Sequence, residues 1–221
     1  IEESDKNAML VLRSQAAFQP ESIAVSVLSE FDGDITDINA DYIARQDAND
    51  RELISELQRR LATEDHPKDR QDLEILIQSL NDEIETRRID SKYMLPYFNM
   101  HGALFGSFRS LLDPRNDKER YASALDRLRK YNGSEDGFTP ITYLAKARTS
   151  EKLEVVGLLG PYRGELETDL ADAPRYVTGA RAMFENADLD GWEEEFAKLE
   201  FQLADYAEWL NEEVLPRARP D

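Results

Sequence analysis

Tyr93-Met94-Leu95-Pro96-Tyr97-Phe98-Asn99-Met100-His101-Gly102-Ala103-Leu104-Phe105-Gly106-Ser107-Phe108-Arg109-Ser110-Leu111-Leu112 is the least polar run in a heavily charged chain, and Arg109 is its only charged residue. Pro96 disfavours helix at Leu95, because its ring clashes with the preceding residue in the α region. Beyond it, Phe98, Leu104, Phe105, Phe108, Leu111 and Leu112 recur at helical spacing. A helix apolar nearly all round is a buried one. Gly102 and Gly106 lie one turn apart, where a missing Cβ would let another backbone come close. The expectation is the central helix of an all-α fold, a multi-helix domain with long antiparallel helices packed around it.

Downstream, Asp113-Pro114 reads as an N-cap followed by proline at the first helical position. The helix it would open carries Tyr121, Leu125, Leu128 and Tyr131. Asn132-Gly133-Ser134-Glu135-Asp136-Gly137 is a loop. Thr139-Pro140 then restarts a helix running to about Leu159, where Gly160-Pro161 must break or kink it. The glycines at 157, 160 and 164 have no phosphate-loop spacing and no preceding strand, so they read as a kink between packed helices.

Leu189, Trp192, Phe196, Leu199, Leu203, Tyr206 and Leu210 alternate by three and four residues, with Asp190 and Glu193 arranged like a capping box. This seam suits packing within the domain; a coiled-coil dimer would use the same spacing over only three heptads.

Upstream, two long helices are expected at about Thr36–Ala62 and Lys68–Arg88. The short turn Asp65-His66-Pro67 between them makes antiparallel neighbours. Ser4–Phe18 reads as a first helix ended by Pro20. Glu21–Phe31 suits helix or strand, and with no partner strand a short helix followed by an irregular loop is preferred. Asp32 to Asp41 carries calcium-loop acids, but neither register supplies the glycine at position six or the closing glutamate. It reads as turn and capping chemistry. The whole is expected to be one domain over 1–221, with subdomains of roughly 1–90 and 91–221.

The 221 residues carry 46 acidic and 27 basic side chains, a formal charge of −19. Such a surface repels nucleic acid and anionic membranes. The acids are interleaved with apolar residues at helical spacing, which argues for folded helices rather than disorder. With no cysteine, disulfides, thiolate metal sites and a cysteine nucleophile are excluded. No apolar run reaches the roughly 20 residues that span a bilayer. The chain begins at Ile1, so removal of an upstream segment is expected: a signal peptide, a tag or part of a longer chain.

Two histidines exist, His66 and His101, and neither belongs to an H-E-x-x-H motif. His66 precedes a proline in a turn and should be exposed. His101, near Tyr97 and Asn99 in the apolar run, reads as a packed histidine with one hydrogen bond or as a site residue. Arg163, beside the Gly160-Pro161 break, is either a ligand contact or one side of a surface salt bridge.

Three pieces together resemble a known family. They are the Leu95-Pro96-Tyr97-Phe98-Asn99-Met100-His101-Gly102 turn, the Tyr121–Leu128 helix with its Arg127-Leu128 step, and the ending Trp209-Leu210-Asn211-Glu212-Glu213-Val214-Leu215-Pro216-Arg217-Ala218. They resemble the N-terminal half of the bacterial proteins grouped as domain of unknown function 885, many of them lipoproteins or secreted proteins. The resemblance implies a zincin-like, two-lobed helical architecture similar to angiotensin-converting enzyme and the thimet-type oligopeptidases.

The family's His-Glu and Pro-Gly-His metal motif and its Gly-Trp-x-x-Tyr-x-Glu stretch belong to the C-terminal half and do not occur here. The resemblance therefore implies a fragment: the channel-forming half of a metal-dependent hydrolase, a peptidase, partnered by a C-terminal half or second polypeptide. Zinc is expected in the complete protein and not on this chain, with a peptide-like substrate. No catalytic residue can be carried over. This half would form a wall and lid of the substrate channel, lined by Tyr97, Asn99, His101 and Arg163. The location implied is secreted, periplasmic or cell-envelope, with a cytoplasmic one left open. The rival expectation is a metal-free binding or scaffold module that forms a homodimer through the Leu189–Leu210 seam.

Overall fold

The computed structural model describes residues 2–24 and 28–220. Their fold is all-α, with nine α-helices: α1 (Glu2–Ala16), α2 (Pro20–Ala24), α3 (Tyr42–Thr63), α4 (Pro67–Tyr93), α5 (Met100–Leu112), α6 (Tyr121–Asn132), α7 (Ile141–Ser150), α8 (Arg163–Asn186) and α9 (Glu193–Trp209). Among the described residues the only β pairing is two isolated bridges. No described helix is long and apolar enough to cross a membrane.

Two hydrophobic clusters organise these helices. In the first, α3 and α4 form the expected antiparallel hairpin. Leu53, Ile54 and Leu57 face Leu73 and Leu80, and α1 adds Val11 across them. The second is larger and centred on α5, whose Met100, Leu104, Phe108, Leu111 and Leu112 are buried. Helix α8 runs along α5, while α6, α7 and α9 close the other sides. The seam residues Trp192, Phe196, Leu199, Leu203, Tyr206 and Leu210 are all buried in this core. The seam thus packs inside the chain. Beyond Trp209 the helix widens into a π turn (Leu210–Val214) and closes as a 3₁₀ turn (Leu215–Arg217).

Several boundaries differ from the sequence reading for identifiable reasons. Helix α3 starts at Tyr42, not Thr36. The Thr36 backbone N–H donates to Glu21 at 2.7 Å instead of to a helical carbonyl, and Asp41 takes a left-handed φ of 56°. Asp113-Pro114 opens no helix: the Asp113 carboxylate turns onto the Arg115 backbone and guanidinium, and α6 starts only at Tyr121. Asp190 caps nothing, since Trp192 occupies the N-cap of α9 without a side-chain bond. The Val25 and Val27 alternation in the Glu21–Phe31 stretch falls outside the described residues. On either side of it lie α2 and a 3₁₀ turn, Ser29–Phe31.

Helix α7 stops at Ser150, nine residues before the expected Leu159. Leu159 instead exchanges two backbone hydrogen bonds across the chain, donating to Tyr93 and accepting from Leu95, both at 2.8 Å. Gly160-Pro161 is therefore a crossing point rather than a helix kink. A Cβ at Gly160 would sit 2.1 Å from the Arg217 carbonyl oxygen, and Pro161 and Arg163 bond Arg219 through their backbones. The close approach expected at Gly102 and Gly106 does not occur. The three atoms nearest a Cβ at Gly102 all belong to the Asn99 side chain, and one at Gly106 would meet nothing within 4 Å.

Candidate functional site

The turn before α5 is fixed from three sides. The Pro96 carbonyl accepts from the Thr149 hydroxyl at 2.9 Å, and the Phe98 carbonyl accepts from the Tyr206 hydroxyl at 2.8 Å. Asn99 is the N-cap of α5, its Oδ1 accepting from Gly102 N–H at 2.9 Å, which satisfies one orphan donor of the helix start. Tyr97 donates its hydroxyl to Asp169 of α8 at 2.6 Å. Burial, then the hydrogen bond to Asp169, pushes the Tyr97 phenol far above its usual range.

On the other side of the first turns of α5 lies a cavity of about 710 Å³. It opens where the N-terminal helices meet the α5 core, and junctions of this kind commonly hold binding sites. Tyr97, Phe98 and Asn99 line it, together with Met100, Leu104 and Ser107 of α5. Phe18, Glu21, Thr36, Asp37, Ile38 and Tyr42 face them, while Tyr131 and Ile141 add to the lining from α6 and α7. A second groove of about 750 Å³ shares Gln19, Ser22 and Gln46 with the first. The two therefore adjoin.

Glu21 is the hub of the cavity's polar side. Its Oε1 accepts from the Thr36 N–H and the Tyr131 hydroxyl, both at 2.7 Å, and its Oε2 accepts from the Thr36 hydroxyl at 2.5 Å. The oxygens of Tyr131 and Ser107 lie 2.8 Å apart, and Arg127 Nη1 donates to Ser107 Oγ at 2.9 Å. Donor counting orients this chain. A carboxylate can only accept, so Tyr131 spends its one O–H on Glu21. Ser107 must then donate to Tyr131 and accept from Arg127. The result is a fully buried guanidinium joined to a cavity carboxylate through two hydroxyls. Arg127 is 0% exposed, and its Nε and Nη2 find no hydrogen-bond partner. Tyr131 titrates well above the usual phenol range, first because it is buried and then because of the Glu21 charge.

Asp37, the second lining carboxylate, is grasped by both terminal nitrogens of Arg45 and accepts from Asn39. The Arg45 hydrogen bond leads in holding its pKa down at about 2. The neighbouring acids are also spent on bases, Asp32 on Arg120 and Asp34 on Lys130. This is why the 32–41 loop has turn rather than calcium chemistry.

Of the four residues expected to line a channel, the structure brings Tyr97 and Asn99 to the cavity and leaves two elsewhere. Arg163 is exposed at the start of α8, donating to the Leu215 carbonyl at 3.3 Å and pairing with Glu167 at 3.6 Å. His101 is buried beneath α9, its Nε2 donating to the Leu203 carbonyl at 3.2 Å. Burial outweighs that bond and the Asp169 charge, so the His101 pKa falls below its ordinary 6.5. A base with a depressed folded pKa stabilises the fold above its unfolded pKa, and that contribution fades as pH falls. His101→Gln keeps a donor for Leu203 but does not titrate. It should flatten the loss of stability as pH falls below about 6.5, read by urea unfolding at each pH. An unchanged pH slope would show that His101 does not carry the effect.

The zinc that the family resemblance implies does not fit these residues. Among those described, no three His, Cys, Asp or Glu side chains converge. His66 is exposed beside Asp69 at 3.4 Å, and His101 is committed to Leu203.

Sequence reasoning passed over Glu21, Thr36, Ser107 and the role of Tyr131. Their one local signal is an arginine, Arg127, on the apolar face of α6 one turn before Tyr131.

A protein-family model described as "Bacterial protein of unknown function (DUF885)" matches residues 21–221. No curated protein and no solved structure matches the chain.

Proposed function

Because the chain belongs to the bacterial DUF885 family, we propose that it is the N-terminal, channel-forming half of a metal-dependent hydrolase, a peptidase. The catalytic metal motif belongs to a C-terminal half outside this sequence, and this chain's part is to bind and orient substrate. The observation that carries the reading is the pair of adjoining cavities beside the Tyr97–Asn99 turn. Together they make a continuous open cleft rather than a closed pocket. Gln19 and Gln46 line both cavities, and each side-chain amide offers both donor and acceptor, as an extended peptide backbone requires. Phe18, Tyr42 and Phe98 supply the apolar surface that binding sites use for affinity. The family resemblance also favours a place in the cell envelope or outside the cell.

Native mass spectrometry on the purified protein, with elemental analysis and a peptide-library digest of the same sample, tests this. The expected result is a second polypeptide, near-stoichiometric zinc and cleavage of unstructured peptides. A chain that holds no second polypeptide and no metal, in a sample without peptide hydrolysis, overturns the reading.

A further inference from the structure

We infer that the cavity recognises a cationic group on its ligand, an ammonium or guanidinium ion carried on an apolar or aromatic body, and that Glu21 is the residue that receives it. This rests on the cleft being a ligand site, as proposed above, and adds the chemistry of what enters it. Among the described residues the cavity lining contains two carboxylates, Glu21 and Asp37, and no lysine, arginine or histidine. Asp37 is already satisfied by Arg45. Glu21 is not, because all three of its hydrogen bonds come from neutral donors.

A carboxylate offers about four acceptor positions. With two taken on Oε1 and one on Oε2, one position on Oε2 is left. Arg127 stands two hydroxyls behind Glu21 and does not line the cavity, so the charge presented to a ligand is the carboxylate's. In a concave, partly dehydrated site that charge acts through a lower effective dielectric than in water. The remaining lining suits the body of such a ligand. Phe18, Tyr42 and Phe98 offer ring faces, which attract cations as well as apolar groups. A domain of formal charge −19 adds a field that concentrates cations in its clefts. For a peptide substrate, the group is a free amino terminus or a basic side chain.

The test is an NMR titration of the intact chain with four matched probes: phenylalanyl-leucinamide, its N-acetyl form, its N-succinyl form and N-acetyl-arginyl-leucinamide. The free amine, the arginyl probe or both should bind at least about tenfold more tightly than the acetylated and succinylated forms, with shifts centred on Thr36 and Ser107. The amine and arginyl arms separate a terminal ammonium from a side-chain cation. Glu21→Gln keeps the shape of the side chain and should erase the preference. The comparison on the unaltered chain stands even if that variant folds poorly. Equal binding of charged and neutral probes in the cavity would overturn the cation assignment alone. If no probe of any charge moved cavity resonances, the ligand-site reading would fall with it.

Discussion

Phe184→Ala is expected to destabilise the chain by about 3–5 kcal/mol, because deleting a buried aromatic ring leaves a cavity that its neighbours fill only partly. Phe184 is 0% exposed and touches three rings, with centroids of Phe108 at 5.0 Å, Trp192 at 5.6 Å and Phe196 at 5.7 Å. It thus ties α8 to the central helix and to the start of α9 at once. For a domain of this size the loss should lower the melting temperature by about 10 °C, read by circular dichroism or calorimetry. Phe201→Ala is the internal control. That ring is 74% exposed on α9, and its removal should stay within about 0.5 kcal/mol. Similar melting shifts for the two variants would refute the assignment of the core to this aromatic cluster.

Phe184 also marks what the sequence showed and what it hid. Its partners Phe108, Trp192 and Phe196 sit in apolar patterns plain enough to place α5 and α9. Its own helix was overlooked, although Leu166, Leu170, Ala173, Val177, Ala180 and Phe184 recur at four and three residues. Pro174 lies in the middle of that pattern and reads as a helix breaker. In the structure it stands on the exposed side of α8, where water can serve the carbonyl left without its bond. The opposite error extended α7 through Val155, Val156 and Leu159. These side chains are apolar but exposed, and the backbone bonds of Leu159 to Tyr93 and Leu95 hold the segment away from helix. Local chemistry was legible where it stays local, as at Pro96, which keeps Leu95 out of α5, whereas the Asn99 cap was not read. The polar side of the cavity was not, because its hydrogen bonds join residues 15 to 110 positions apart.

Glu21→Ala is expected to cost about 3 kcal/mol, well beyond the effect of an ordinary half-buried glutamate, because the change propagates along the hydroxyl chain. Removing the carboxylate strands the Thr36 N–H and the Tyr131 hydroxyl together, and leaves the buried Arg127 charge with no anion at the far end. Tyr131→Phe, which breaks the chain but keeps both charges, should cost about 1–2 kcal/mol. Arg127→Met removes the cation and its two unpartnered donors while filling similar volume, so it should cost less than Glu21→Ala. The decisive variant carries both Glu21→Ala and Arg127→Met. If the two charges sense each other through Ser107 and Tyr131, the double variant should retain at least about 1 kcal/mol more than the sum of the single losses predicts. Strict additivity in urea unfolding would mean that Glu21 is held by its hydroxyl partners alone, with no role as counter-charge to Arg127. Coupling would mean that the carboxylate facing the cavity is fixed from behind by a buried cation, so a ligand binding there meets a group already oriented.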